Sequence, residues 1–319
     1  MDKPTVLVIG GSGFIGSHLV AKLAAAGVRV ILPTRRYESA KHLISLPGIE
    51  VSEQDVRQDA VVRRLSTGVD AVINLVGLLH SKPGSPYGPD FAAAHVALPM
   101  RIVAACVANG VPRYLHMSAL GAASDGPSMY LRSKAAGELA ASADAAVAAT
   151  IFRPSVVFGP EDKFINLFAS MQKILPLVPL GGADTRFQPV FVEDVAQAFV
   201  NALLDPKSER QIYELAGPDV CTLAEIVKLA GGEHPRPVIK LPLPLARLQA
   251  LVLEWMPGGP LMSRDNLDSM QVDNVIAASS QALTLSDLDI VPQALSAVIR
   301  HYHGIHAARF DDLRSRARR

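Results

Sequence analysis

One segment narrows the folds open to this chain more than any other: Val6, Leu7, Val8 and Ile9 run directly into Gly10, Gly11, Ser12, Gly13, Phe14, Ile15 and Gly16. The apolar residues read as a strand buried on both faces, and Phe14 to Ala26 as an amphipathic helix. Joining the two in so few residues demands a tight turn, which Gly10 and Gly11 permit. Gly13 lets a ligand approach the backbone, and Gly16 lets the helix pack on the strand. The first N–H groups of the helix then face the turn and favour negative charge there. A pyrophosphate meets those requirements, so residues 10–16 predict a dinucleotide site.

The rest of the first half fits that beginning. Val28–Leu32, Ile49–Ser52, Ala71–Val76, Tyr114–Ser118 and Thr150–Arg153 read as strands. Tyr37–Leu46, Asp59–Ser66, Phe91–Asn109 and Ser128–Ala146 read as the helices between them. Such alternation predicts an α/β fold with a doubly wound parallel sheet of Rossmann type. With 319 residues, 49% of them hydrophobic, the chain can also build a smaller second domain. Beyond Pro160, frequent prolines, from Pro176 to Pro260, break the pattern into short pieces. The expected division is therefore residues 1–158 for the nucleotide and 159–319 as an irregular substrate domain, with 187–215 returning to the first sheet. Within that return, Pro189–Val192 is strand-like and Asp194 can cap the helix that follows. Residues 160–182 and 235–264 are expected to form the substrate pocket.

About twenty residues after the glycines, where an acid would hold ribose hydroxyls, the chain carries Thr34, Arg35 and Arg36. A guanidinium pairs with a 2′-phosphate, so NADP(H) is favoured and NAD(H) stays open, since two arginines also make an ordinary solvated surface. Asp55 suits the adenine amino group or a helix cap. Val56, Val76, Gly77, Pro154, Val156 and Val157 follow strand ends, where ligands of such sheets bind, and complete the expected cofactor set.

Tyr130 and Lys134 are four residues apart on a predicted helix and therefore share a face. A neighbouring ammonium and an oxidised nicotinamide would both lower the phenol's pKa, letting Tyr130 exchange a proton with a carbonyl or alcohol. Ser118, at a strand end, can donate to the same substrate oxygen. Ser118, Tyr130 and Lys134 are the expected catalytic residues.

The ordered set Gly10, Gly13, Gly16, Ser118, Tyr130 and Lys134 resembles the short-chain dehydrogenase/reductase superfamily, over at least Thr5 to Val195. Val156–Pro160 and Val192–Ala196 resemble its extended branch, which includes nucleotide-sugar epimerases and dehydratases. Tyr130–Glu138, Arg153–Phe164 and Ser263–Leu267 resemble an atypical subfamily that includes the NADPH-binding accessory subunit of mitochondrial complex I. The resemblance implies tightly held NADPH and two outcomes for it: turnover with a carbonyl, alcohol or quinone-related substrate, or a structural role in a respiratory or quinone-synthesising complex. An epimerase is a third outcome. The chain departs from the extended enzymes at His95, where they commonly carry an Asn that serves a proton relay.

Charge and cysteines exclude more than they assign. Thirty-one Lys and Arg against thirty Asp and Glu give no reason to expect nucleic acid as a partner. Cys106 and Cys221 form no metal or disulfide pattern, which fits a reducing, cytoplasmic compartment. His301, His303 and His306 lack a partnering acid, so no metal is expected. No stretch of eighteen uncharged apolar residues occurs, so a spanning helix is not expected. Leu245, Leu248, Val252 and Trp255 form an apolar stripe that reads as core or lid packing, or as a membrane-surface or isoprenoid contact. Arginines from Arg309 to Arg319 make a basic tail that is a solvated end or an electrostatic contact at the inner face of a membrane or on an acidic subunit.

Overall fold

The computed structural model describes residues 3–255 and 262–299. Seven strands form one sheet: β1 (Thr5–Ile9), β2 (Arg29–Thr34), β3 (Ile49–Glu53), β4 (Ala71–Asn74), β5 (Arg113–Met117), β6 (Ala148–Pro154) and β7 (Ile212–Leu215). All neighbours are parallel, in the order β7-β6-β5-β4-β1-β2-β3. The order reverses between β1 and β4, which opens a crevice beyond their carboxyl ends. Alternate residues point to opposite faces, so Val6 and Val8 enter one core cluster while Leu7 and Ile9 enter another.

Helices α1 (Phe14–Ala25), α2 (Asp59–Leu65), α3 (Leu98–Asn109) and α4 (Met129–Ala141) link the strands. The expected helix at 37–46 is absent; two 3₁₀ turns, Tyr37–Ser39 and Lys41–Leu43, replace it. Ala40, Leu43 and Leu46 are the residues that reach the core, and a spacing of three suits a 3₁₀ path better than an α-helical stripe. The chain before α3 runs through Pro89–Phe91 and a π-turn at Ala92–Ala97. Pro89–Asn109 is long and apolar enough to cross a membrane by length and composition, a possibility the count of uncharged residues missed. Here Leu98, Ile102, Val103 and Cys106 instead join the core cluster on one face of the sheet.

Beyond β6 come α5 (Phe164–Ile174), α6 (Val192–Leu204), α7 (Leu223–Ala230), α8 (Leu243–Glu254) and α9 (Arg264–Ser269). Helix α6 packs on α1, and Val195 and Phe199 fill the sheet core. Asp194 does not cap α6; its carboxylate accepts from the Gln293 N–H at 2.8 Å. Residues 283–290 also return, beyond the expected 187–215: Leu285, Leu288 and Ile290 are buried with the sheet core, and Leu283 bridges Tyr213 of β7. Burying the outer flank of β7 requires this second return. A separate lobe, with its own core around Phe158, Val178, Leu180 and Leu223, is built largely from α5, α7 and paired strands at 178–180 and 238–240.

Candidate active site

The glycine turn is shaped by close approaches. Gly10 has φ +86°, a left-handed conformation that disfavours side chains. A Cβ on Gly16 would lie 2.5 Å from the Gly10 carbonyl oxygen and 2.5 Å from Gly11 Cα, so helix and turn touch through backbone. A Cβ on Gly11 would meet Leu32, Val8 and Val20. Gly13 is exposed and supplies the N-cap of α1 with no side chain satisfying the first N–H groups. An open helix N-terminus behind a turn of glycines and one small serine fits a dinucleotide pyrophosphate. Ser12 lies 3.5 Å, oxygen to oxygen, from Thr34, whose hydroxyl donates to the Arg36 carbonyl. Arg35 and Arg36 are exposed beside it. Phe14 and Ile15 face inward: Phe14 abuts Gly159, and Ile15 packs on the sheet core.

Asp55 is already engaged, because both its oxygens accept from Arg57, and those hydrogen bonds hold its carboxyl down at about 2. Val56 and Val76 pack on the sheet core, and the Val76 N–H is fixed by Asn74 Oδ1 at 3.1 Å. Gly77 adjoins Lys134, with Nζ 3.7 Å from where a Cβ would sit. Pro154 ends β6, and Val156 and Val157 lead from it toward the lobe core and the sheet core respectively.

Tyr130 and Lys134 both lie on α4, whose N-cap Ser128 accepts from the Leu131 N–H. Lys134 is buried and donates from Nζ to the Met117 carbonyl at 2.9 Å. Burial pulls its ammonium down to about 8, the nearby Glu138 opposing the shift. The Tyr130 phenol moves opposite to the sequence expectation: burial pushes it up to about 12, and no lowering by Lys134 accompanies it. Lys134 spends a donor on the Met117 carbonyl, and desolvation dominates at the phenol. Ser118 also differs in attachment. It is 2% exposed and donates to Glu138 at 2.5 Å, within a network in which Glu138 pairs with Arg153 through two hydrogen bonds of 2.6 and 2.8 Å.

Three further residues contribute: His95, which the sequence marks only as a departure from the extended enzymes, and Asp265 and Asn274, which it does not single out. His95, on the π-turn, accepts at Nε2 from the Leu78 N–H, so Nδ1 carries the proton and donates to Ser133. Burial holds it neutral, at about 2. Its ring meets the Tyr130 ring edge-on at 5.8 Å. Asp265, from α9, accepts from the Met129 and Tyr130 N–H groups at 2.7 and 3.0 Å, capping the helix that carries Tyr130 across 135 residues of sequence. Asn274 joins Ser155, Val156 and the Leu120 carbonyl. For Asp265 the signal is the resemblance over 263–267; for Asn274 spacing gives none.

The fold and the sequence have known counterparts. Residues 6–216 match the NAD dependent epimerase/dehydratase family. The chain belongs to that family. It is 36% identical over 307 residues to NADH dehydrogenase (ubiquinone) 1 alpha subcomplex subunit 9, mitochondrial, of Arabidopsis thaliana, covering 90% of this chain and 74% of the relative. It is 30% identical over 261 residues to the ceramide reductase of Caulobacter vibrioides, covering 79% of this chain and 78% of that one. Among solved structures it resembles MoeE5 in complex with UDP-glucose and NAD, with TM-score 0.72, 20% identity and coverage of 95% and 99%. The family's cofactor is NAD by name; the choice between NADH and NADPH is a separate matter.

Among the described residues no cluster of three potential metal ligands occurs. His301, His303, His306 and the basic tail lie outside the described residues.

Proposed function

We propose that this family member is an oxidoreductase that reduces a carbonyl or quinone-related group at the expense of NADPH. The observation that carries the reading is the pairing on α4 of a phenol held protonated, at about 12, with a buried lysine at about 8. At neutral pH Tyr130 is a donor, which suits delivery of a proton to a carbonyl oxygen as it gains negative charge. Lys134 titrates close enough to neutrality to replace that proton. Gly10 to Gly16 and the start of α1 would hold the pyrophosphate, and Arg35 would meet the 2′-phosphate. When bound, the reduced nicotinamide supplies the hydride. His95, fixed as a neutral tautomer between Leu78 and Ser133, orients the Tyr130 region and relays no proton. The names of the relatives, a ubiquinone-linked subunit and a ceramide reductase, support a lipidic substrate class.

The test follows NADPH absorbance while short-chain ubiquinones, long-chain ketones and UDP-sugars are added. Oxidation is expected with one of the first two classes, and Tyr130→Phe should slow it by roughly 10²- to 10⁴-fold. Unchanged turnover in that variant removes Tyr130 from the chemistry.

A second reading, a nucleotide-holding subunit without turnover that docks on a respiratory complex, is favoured by Ser118. Its hydroxyl is committed to Glu138 instead of standing free for substrate. Nucleotide that copurifies, stabilises the fold and is never oxidised would decide for it.

A further inference from the structure

The apolar stripe of α8 faces outward. Leu245 is 53%, Leu248 57%, Val252 62% and Trp255 83% exposed. The opposite side of the helix explains why: Ala246 and Ala250 are buried against Leu267, and Ala246 sits so close to Gly181 that a Cβ there would lie 2.6 Å away. Small residues seat the helix tightly and turn its large ones outward. The face is exposed and aliphatic, and it ends in a tryptophan whose ring suits the boundary between headgroups and acyl chains.

Charge indicates what it meets. The last described residues, Val298 and Ile299, are buried in the core of the same lobe, beside the strand Val178–Leu180 whose partner Val238–Lys240 leads into α8. Residues 300–319 follow from that point and carry six arginines against two aspartates, four net positive charges in a chain whose total is +1. A basic segment leaving a lobe with an exposed aliphatic helix complements an anionic lipid surface.

We propose that the outer face of α8 docks on an anionic lipid bilayer, with Leu245, Leu248, Val252 and Trp255 entering its apolar margin and the arginine-rich sequence after Ile299 supplying attraction to headgroups. This surface does not depend on turnover. It also lies near the candidate active site, since α9 packs on α8 and delivers Asp265 to the helix of Tyr130.

Trp255 is the single tryptophan of the chain, so its emission reports on the surface directly. The full-length protein is mixed with vesicles of phosphatidylcholine alone or with added phosphatidylglycerol, at low and high salt, and followed by fluorescence and cosedimentation. A blue shift and pelleting with the anionic vesicles, weakened by salt, are expected. The double variant L248E/V252E, altered at exposed positions, should keep its melting temperature and lose roughly tenfold or more in bound fraction. Emission that ignores vesicles, or a double variant that binds as well as the parent, overturns the proposal. So does a blue emission without lipid that dilution or L248E/V252E abolishes, which assigns the face to a second copy. Tyr130→Phe should bind vesicles normally, so lost turnover with intact docking separates this inference from the proposed reaction.

Discussion

The glycine turn and the α9 segment are built in opposite ways. At the turn, backbone meets backbone: Gly16 rests on Gly10 and Gly11 with no room for a methyl group. At α9, a lone carboxylate, Asp265, arrives from a distant part of the chain and satisfies two N–H groups at the start of α4. The first construction is local and tolerates nothing; the second is long-range and depends on one side chain. The proposed site would therefore have one half fixed by backbone contact and another held by a replaceable side chain.

Substitution should expose that difference. Gly16→Ala forces backbone apart and is expected to cost about 3 kcal/mol, with loss of dinucleotide binding, as read by denaturant unfolding and calorimetry. Lys134→Met removes a buried charge. Its ammonium has a lower pKa folded than unfolded, so the unfolded chain binds more protons between about pH 8 and 10.5, and stability rises with pH across that window. Below pH 8 the penalty is fully present, at about 3 kcal/mol, offset by about 1 kcal/mol for the Met117 carbonyl left without its donor. The variant should therefore be about 2 kcal/mol more stable than the parent at pH 7 and, above pH 10.5, where only the unmet carbonyl remains, about 1 kcal/mol less stable. A gain that does not depend on pH would show that Lys134 is not held charged against desolvation. Asp265→Ala should lower stability by about 1–2 kcal/mol and reduce any turnover more than it weakens nucleotide binding, with Asp265→Asn intermediate. If Asp265→Ala costs as much as Gly16→Ala, the contrast between the two halves fails. The smallest effect is expected at Arg35, where Ala should shift the NADPH to NADH preference by roughly tenfold; an unchanged ratio would leave Arg35 as plain surface.

The same contrast explains what was legible in the sequence. Strands β1 to β6 and the turn announce themselves because their signals, apolar runs and glycines at fixed spacing, are local. The 37–46 segment is long enough to read as a linking helix between two strands, but its core-facing Ala40 and Leu43 serve two 3₁₀ turns. Tyr130 and Lys134 could be paired by helical spacing, but the direction of the phenol's shift could not, since burial is a property of the packed fold. Ser118 follows directly on β5, yet its attachment to Glu138 depends on how α4 lies over β5 and β6. Asp265 and Asn274 are ordinary residues in their own neighbourhoods and acquire a role from partners more than a hundred positions away.

The return of residues 283–290 to β7 bears on how the chain is made. The Glu214 N–H donates to the Leu283 carbonyl at 2.7 Å and the Leu283 N–H to the Ile212 carbonyl at 3.0 Å, closing the outer edge of the sheet. During synthesis from the N-terminus, the glycine turn and six strands emerge long before that closing segment. The sheet therefore waits with an open edge until residues 283–290 have emerged, and a product truncated before residue 283 would keep its glycine turn while leaving β7 unpaired on its outer side, an invitation to other strands.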